Sequence, residues 1–406
     1  MQHKGLRYIL KSPEVLSRAT IPTSPVEVDS PTERVILKAL RLRHFRNFAD
    51  LACEFPPSGV AIVGPNGSGK TNLLEAIYYL GIFRSFRGAP DAELVRLGDD
   101  TFRIEGTVEG PDGERRIAAA YQKSTRRKKV EVDGVEVERL SDALGTLGVV
   151  ALGLADVELV SGPPAARRRF LDILLSLVRP DYLAALQRCR VAVAQRNGAL
   201  RSAASSDELQ PWTDELVSAG TSVMSARAEW AAERADGFSR YHEAISGGPG
   251  ARLEYRSLVG LPSSEADGST WEARFRETLA SAEERERQQG RTLVGPHRDD
   301  LNLSSAVADE EDRAIRRFGS GGQQRTAALA LRLIEADTLR DRAGVEPVYL
   351  LDDVFAELDR ERSGSLLALL EDGRSGQTVL TAPKPADVVL RGGLEEWNIS
   401  GGRLER

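Results

Sequence analysis

The chain has 406 residues, 41 % of them hydrophobic, with a formal net charge of -6. That length exceeds one ordinary core and sets two domains as the expectation; the acidic balance excludes a whole-molecule attraction to nucleic acid, so any such contact has to come from a local basic patch. Cys53 and Cys189 stand far apart without metal-ligand spacing, which excludes a disulfide framework and fits a reducing compartment, and with no apolar run near the roughly 18 residues that span a bilayer and no apolar leader the expectation is a soluble, cytoplasmic protein without a membrane partner.

Residues 1–34 carry Pro22, Pro25, Pro31 and many Ser, Thr and Asp with little periodicity, and read as a disordered extension. From Val35 the segment VILKALRLRHFRNFADLACEF alternates apolar and polar residues, which predicts paired antiparallel strands with Arg41, Arg43 and Arg46 on one face. FPPSGVAIV then reads as a buried strand, and TNLLEAIYYLGIF has the i, i+3, i+4 apolar spacing of a helix packed on a sheet. Between them stands Gly64, Pro65, Asn66, Gly67, Ser68, Gly69, Lys70 and Thr71, followed by Asn72, a match to G-x-x-x-x-G-K-[ST]. Its glycines let the backbone wrap an anion with N–H groups pointing inward, and the new helix adds the positive end of its dipole. Lys70 then reaches the β- and γ-phosphates of a nucleotide, and the Thr71 hydroxyl ligates magnesium.

TFRIEGTVEG, ERRIAAAYQ and RRKKVEVDGVEVE follow as a run of hairpins turning at Pro111-Asp112-Gly113 and Asp133-Gly134. One hairpin carries Lys123, Arg126, Arg127, Lys128 and Lys129, a candidate DNA-binding patch whose plain alternative is a solvated turn. After Gly162 the strand pattern stops. Helices are expected over RRRFLDILLSL, Asp181 to Arg201, Pro211 to Ile245 and Trp271 to Gln289, with Trp212, Trp230 and Trp271 as core anchors and one small hairpin in SGGPGARLEYRSLVGLP. No heptad series persists long enough for a long coiled coil. Arg167, Arg168 and Arg169 open a helix, where positive charge opposes the dipole; a bound acidic partner or phosphate and a solvated face both stand open. His297 in GPHRDD is read either as a satisfied loop histidine or as a functional one.

Near the end, Ser320, Gly321, Gly322 and Gln323 precede a helix with apolar spacing, so their backbone donors sit at a second positive helix end. PVYLLDDVFAELD has the pattern of a buried strand delivering Asp352 and Asp353 to a metal site. The phosphate loop and this acidic strand are separated by most of the chain, which implies one nucleotide-binding sheet interrupted by a large insertion.

The Ser-Gly-Gly-Gln start ahead of the acidic strand resembles the signature helix of the ABC ATPase superfamily. Within that superfamily LRLRHFRNF, GPNGSGKTNLLEAI, ELVSGPPAARRRFLD, TLVGPHRDDL, FGSGGQQRTAALALRL and LLDDVFAELD are similar to the RecF family of recombination and repair proteins, relatives of the SMC-type heads. The resemblance implies an α/β fold: an ABC-type ATPase head, a mixed sheet with a phosphate-loop core plus an antiparallel subdomain, formed by residues 35–163 and 290–406, with residues 164–289 as an inserted, mainly helical arm. It implies a slow, DNA-stimulated ATPase using ATP and Mg2+, an ATP-dependent homodimer on gapped DNA or single-strand/double-strand junctions that works with RecR and RecO to load RecA. Carried over residue by residue, Gly64 to Asn72 bind ATP, Thr71 and Asp352 hold magnesium, Asp353 with Lys70 is catalytic, Ser320 to Gln323 meet the γ-phosphate of the partner's nucleotide, and Asp359 is the D-loop aspartate crossing the interface. Two departures stand out. GLADVELV before the arginine triplet leaves Asp156 without an assigned role, and Thr381 occupies about the place of the switch histidine and cannot act as a base. A transport-type ABC ATPase and a nucleotide-switched clamp without significant turnover are the alternative readings.

Overall fold

The computed structural model describes residues 34–260, 268–306, 314–371, 376–388 and 394–406. The extension expected over residues 1–34 lies outside them except for Arg34. The alternation after Val35 gives strands β1 (Ile36–Phe45) and β2 (Phe48–Glu54), antiparallel with Leu40 opposite Cys53. The all-buried strand β3 (Gly59–Val63) leads through the phosphate loop into α1 (Lys70–Ile82). After the short α2 (Asp91–Leu94) come β4 (Thr101–Gly110), β5 (Gly113–Gln122), β6 (Arg127–Val132) and β7 (Val135–Glu136). Asp133 and Gly134 both have positive φ, 52° and 81°, as a two-residue hairpin loop requires. Strand β8 (Val149–Gly153) and α3 (Val157–Ser161) precede the helical block, α4 (Pro164–Val178), α5 (Pro180–Arg201) and the long α6 (Ser206–Ser246).

Helix α6 begins five residues before Pro211. Ser205 accepts from the Glu208 backbone N–H while Glu208 accepts from that of Ser205, and this reciprocal cap, worth about 1 kcal/mol, secures the first turn on the far side of the proline. Of the three tryptophans expected as anchors, Trp230 and Trp271 are buried and Trp212 only partly so. Strand β9 (Ala251–Arg256) corrects one expectation: it forms no local hairpin but pairs antiparallel, across α7 (Gly268–Gln289), with β10 (Asp300–Ser305). Its alternating Ala251, Leu253 and Tyr255 are buried and need an alternating partner, which the neighbouring residues lack and β10 supplies.

The rest is α8 (Ile315–Phe318), α9 (Gly321–Ala343), β11 (Val348–Asp352), α10 (Arg360–Glu371), β12 (Thr378–Ala382), β13 (Glu395–Ser400) and β14 (Arg403–Glu405). Two six-stranded sheets result. One is antiparallel, β2-β1-β4-β5-β6-β7; the other runs β14-β13-β3-β12-β11-β8 and is parallel except at β14. One core, including Phe45, Leu74, Ile77 and Val379, lies around α1 between the sheets. A second joins Leu174, Leu216, Trp230 and Phe238 of the helical block to Leu152 of β8, Leu351 of β11 and Leu331 of α9. No described helix is long and apolar enough to cross a membrane.

Candidate nucleotide site

The loop after β3 is tight for steric reasons. A Cβ on Gly64 would come within 2.4 Å of the Ile399 carbonyl oxygen on β13, and Gly69 has φ +115°, which only glycine adopts without strain. Gly69 is also the N-cap of α1 and supplies no side-chain cap, so the first N–H donors of the helix remain for an anion. Pro65, Asn66 and Gly67 are exposed at the rim, whereas Lys70 is buried and its Nζ donates to the Gly64 carbonyl at 2.7 Å. The Ser68 hydroxyl is buried without a partner.

The acidic strand arrives beside this loop through the sheet: β11 pairs with β12, and β12 with β3. Thr71 Oγ1 donates to Asp352 Oδ1 at 2.9 Å, joining residues 281 positions apart. Asp352 lies opposite Thr381 in the strand register, and the buried Thr381 hydroxyl stands 3.0 Å from Asp352 Oδ1 and 3.3 Å from Asp353 Oδ1 while accepting from the Asp353 N–H at 3.0 Å. Thr381 therefore sits between the two carboxylates, its single proton shared among their oxygens while its own oxygen holds the Asp353 N–H. Asp353 leaves the strand with φ 49°, a left-handed conformation disfavoured for a residue with a Cβ, which re-aims its side chain relative to Asp352.

Burial raises the Asp352 carboxyl above its ordinary range, an effect opposed by the Thr71 and Thr381 hydroxyls and by the nearby Arg87 charge. A desolvated carboxylate next to a threonine hydroxyl is a pair of hard oxygen donors, a set that fits Mg2+, which takes one or two carboxylates and completes its shell with phosphate oxygens and water. Arg87 and Asn47 were not singled out from sequence. Arg87 Nη1 donates to Asn72 Oδ1 at 3.4 Å, and Asn47 contacts the loop directly; a long-range contact of this kind has no periodic or motif signal.

The start of α9 is built differently. Ser320 is its N-cap, its hydroxyl accepting from the Gln323 N–H at 3.3 Å while Gln323 Oε1 accepts from the Ser320 N–H at 2.8 Å, all at the surface. Gly321 faces open space, and a Cβ on Gly322 would come within 2.8 Å of Arg362 Nη1. Arg362 in turn donates to Asp359 through Nη1 at 2.7 Å and through its backbone N–H at 2.9 Å. The Ser-Gly-Gly-Gln segment and Asp359 thus meet across one arginine.

The model of the RecF/RecN/SMC N terminal domain matches residues 36–387. The chain is 38 % identical over 359 residues to the DNA replication and repair protein RecF of Salinibacter ruber, a match covering 86 % of this chain and 85 % of that protein. It belongs to the RecF family. The RecF of Synechococcus sp. (strain JA-3-3Ab) is 37 % identical over 83 % of this chain and 88 % of its own length. A structure of the recombination mediator protein RecF-ATP in the RecFOR pathway superposes with TM-score 0.82 at 28 % identity, over 92 % of this chain and 99 % of that one. The Smc head from Pyrococcus furiosus, at TM-score 0.53 and 16 % identity over 91 % of this chain and 95 % of that one, shares the fold alone. The α/β ABC-type ATPase head with a helical insert, expected from sequence, is the fold of this RecF-family chain.

The basic residues need correction. Arg41 and Arg43 do share a strand face, but Arg46 lies past the end of β1 and grips the fully buried Glu75 with Nε at 2.8 Å and Nη2 at 3.0 Å. In the hairpin patch Lys128 turns inward, donating to the Phe83 carbonyl at 2.7 Å, pairing with Asp91 at 2.8 Å and lying over the Tyr79 ring. Lys129 pairs with Glu131 and Glu136; Lys123, Arg126 and Arg127 are the exposed cations of that cluster, Arg127 being paired with Glu136.

Along the arginine triplet exposure rises from buried Arg167 through half-buried Arg168 to exposed Arg169, and each makes an internal contact. Arg167 is buried, clamps Asp300 at 2.7 and 3.0 Å and caps the carbonyls of Leu159, Val160 and Gly162, while Arg168 donates to the Asp299 carbonyl and Arg169 to that of Ser85. The acidic partner that the helix dipole calls for is internal. Asp156 accepts from the Gly153 N–H and from buried Arg332, which also holds Glu335. His297 is only half satisfied: Nε2 lies 3.2 Å from the Thr292 carbonyl, the buried Nδ1 has no hydrogen-bond partner among the described residues, and burial pushes its pKa down to about 4.

Proposed function

We propose that this chain is an ATP-dependent DNA-binding ATPase of recombinational repair and replication restart. The observation that carries the proposal is the 2.9 Å contact between Thr71 and Asp352, which places a phosphate loop and an acidic strand from distant parts of the sequence in one site. Names of the relatives support the biological setting: DNA replication and repair protein for the sequences, recombination mediator protein with ATP for the neighbouring structure.

In this reading residues 64–72 hold the nucleotide, the loop and helix N–H groups binding phosphate oxygens and Lys70 exchanging the Gly64 carbonyl for the β- and γ-phosphates. Mg2+, held by Thr71 and Asp352, would neutralise charge on the phosphates. Asp353 orients the attacking water and accepts its proton. It is one methylene shorter than a glutamate, and Thr381 beside it cannot take a proton at neutral pH, so hydrolysis is slow. Ser320 to Gln323 of one protomer contact the γ-phosphate bound by the other, and Asp359 crosses the same interface, which makes ATP rather than ADP the ligand that dimerises the chain. Residues 35–163 and 290–406 act as the ATPase head and residues 164–289 as an arm.

DNA binds as a gapped duplex or single-strand/double-strand junction on the dimer, where two copies of Arg41, Arg43, Lys123 and Arg126 add up to the local patch that an acidic protein needs. Hydrolysis then releases the DNA, and in the cytoplasm the complex works with RecO and RecR in loading RecA. Light scattering tests the core of the proposal: monomers with Mg-ADP and dimers with Mg-ATP are expected, and equal dimer populations in both states would overturn it.

A further inference from the structure

The turn between β1 and β2 leaves the antiparallel sheet and lies on the phosphate loop. Asn47 Nδ2 donates to the Ser68 carbonyl at 3.1 Å, and Asn47 Oδ1 accepts from Asn72 Nδ2 of α1 at 2.8 Å. A Cβ on Gly69 would meet Asn47 Nδ2 at 2.5 Å, so the amide fills the space that the loop's left-handed glycine leaves open. On the other side Gly402, in the turn between β13 and β14, sits close enough that its own Cβ would come within 3.1 Å of the Asn47 carbonyl oxygen. The turn is fastened one residue earlier by Arg46, whose guanidinium grips the buried Glu75 of α1 at 2.8 and 3.0 Å. Glu75 also accepts from Ser85, at the start of the loop that carries Arg87.

In a trans peptide the C=O and the following N–H point in opposite directions. Tethering the Ser68 carbonyl to Asn47 therefore aims the Gly69 N–H away from Asn47, into the curve of the loop where an anion is received. We propose that Asn47 is a positioning residue for nucleotide binding: it fixes the Ser68–Gly69 peptide so that the donor array is preformed, and through Asn72 it holds the Arg87 side of the site to the same frame. Without it the peptide is free to rotate, and binding has to re-order the loop at the expense of affinity. This inference rests on the loop being a nucleotide-phosphate site.

The test is calorimetric binding of Mg-ATP and Mg-ADP to the full chain, together with steady-state ATPase kinetics, for Asn47→Ala, Asn47→Asp and Lys70→Ala. Losing one hydrogen bond to a preorganised loop corresponds to about a tenfold loss of affinity. Asn47→Ala should weaken both nucleotides by about that factor, raising KM while kcat at saturating ATP stays within about threefold of wild type. Asn47→Asp, which preserves size and the acceptor for Asn72 but sets a carboxylate against the Ser68 carbonyl, should lose at least as much. If both folded Asn47 variants bind nucleotide with wild-type affinity while Lys70→Ala loses binding, the positioning role is wrong and the loop assignment stands. Normal binding by Lys70→Ala would remove the loop assignment and this inference with it. A lowered melting temperature with unchanged KM would reduce Asn47 to a packing residue and overturn the proposal.

Discussion

Helices α1 and α9 both begin at glycine-rich segments, and neither has an acidic residue in its first turn, yet they are finished in opposite ways. At α1 the N-cap is a glycine without a side chain, a lysine is buried against the loop, and the turn at Asn47 holds the backbone from outside. At α9 the serine and glutamine satisfy each other's backbone N–H groups at the surface. The first leaves the backbone donors of its opening turn available to an anion. The second is a helix start that is stable by itself and has to surrender a reciprocal cap, worth about 0.5–2 kcal/mol, before its side chains can meet a phosphate. That asymmetry suits a composite site in which one half binds nucleotide in the monomer and the other engages only when a second chain brings enough contacts to offset the loss.

The largest way to break the comparison lies in the chemistry at the first site. Asp353→Asn should lower turnover by about 10²–10⁴-fold, the range for losing a general base, while ATP binding and the ATP-dependent dimer persist; hydrolysis at the wild-type rate would show that another group takes the proton. Lys70→Met should reduce Mg-ATP affinity by roughly a hundredfold, since it removes a charge-assisted contact to the β/γ-phosphates from a buried position, and the dimer should go with it. Ser320→Arg places a bulky cation at the second site, so titration calorimetry should find ATP affinity within about twofold of wild type while light scattering finds only monomers. A dimer that survives this change would mean that α9 does not face the partner's nucleotide.

Ser320→Ala sharpens the same point more gently. It removes the cap, and thermal unfolding should give a loss of about 1 kcal/mol with ATP affinity unchanged. The smallest effect is expected on DNA. Arg126→Glu should weaken ATP-dependent DNA binding and lower the salt slope by about one per site, whereas Lys128→Glu, which buries a carboxylate beside Asp91, should appear chiefly as lost stability.

Much of this molecule is written locally. The order strand, Gly64–Thr71, helix is a short-range pattern, and so are the Asp133–Gly134 turn, the buried run ending in Asp352 and the Ser320–Gln323 helix start, because each depends on the φ preferences, side-chain period or capping chemistry of a few consecutive residues. What tertiary structure alone decided is which of these pieces meet and what each charge faces. β3 lies between β12 and β13 from the far end of the chain; β3 and β12 are short apolar runs and β13 buries only Trp397 and Ile399, and their parallel pairing carries no mark in any one of them. Arg46, Arg167 and Lys128 stand in sequence as cations open to a ligand or to solvent and are instead spent on Glu75, Asp300 and Asp91, and β9 finds its mate in β10 rather than in its neighbour. A side chain's charge is fixed by its residue type, but whether that charge is left for a ligand depends on what the fold brings within about 4 Å of it, and those partners are set by the packing of elements tens to hundreds of residues apart.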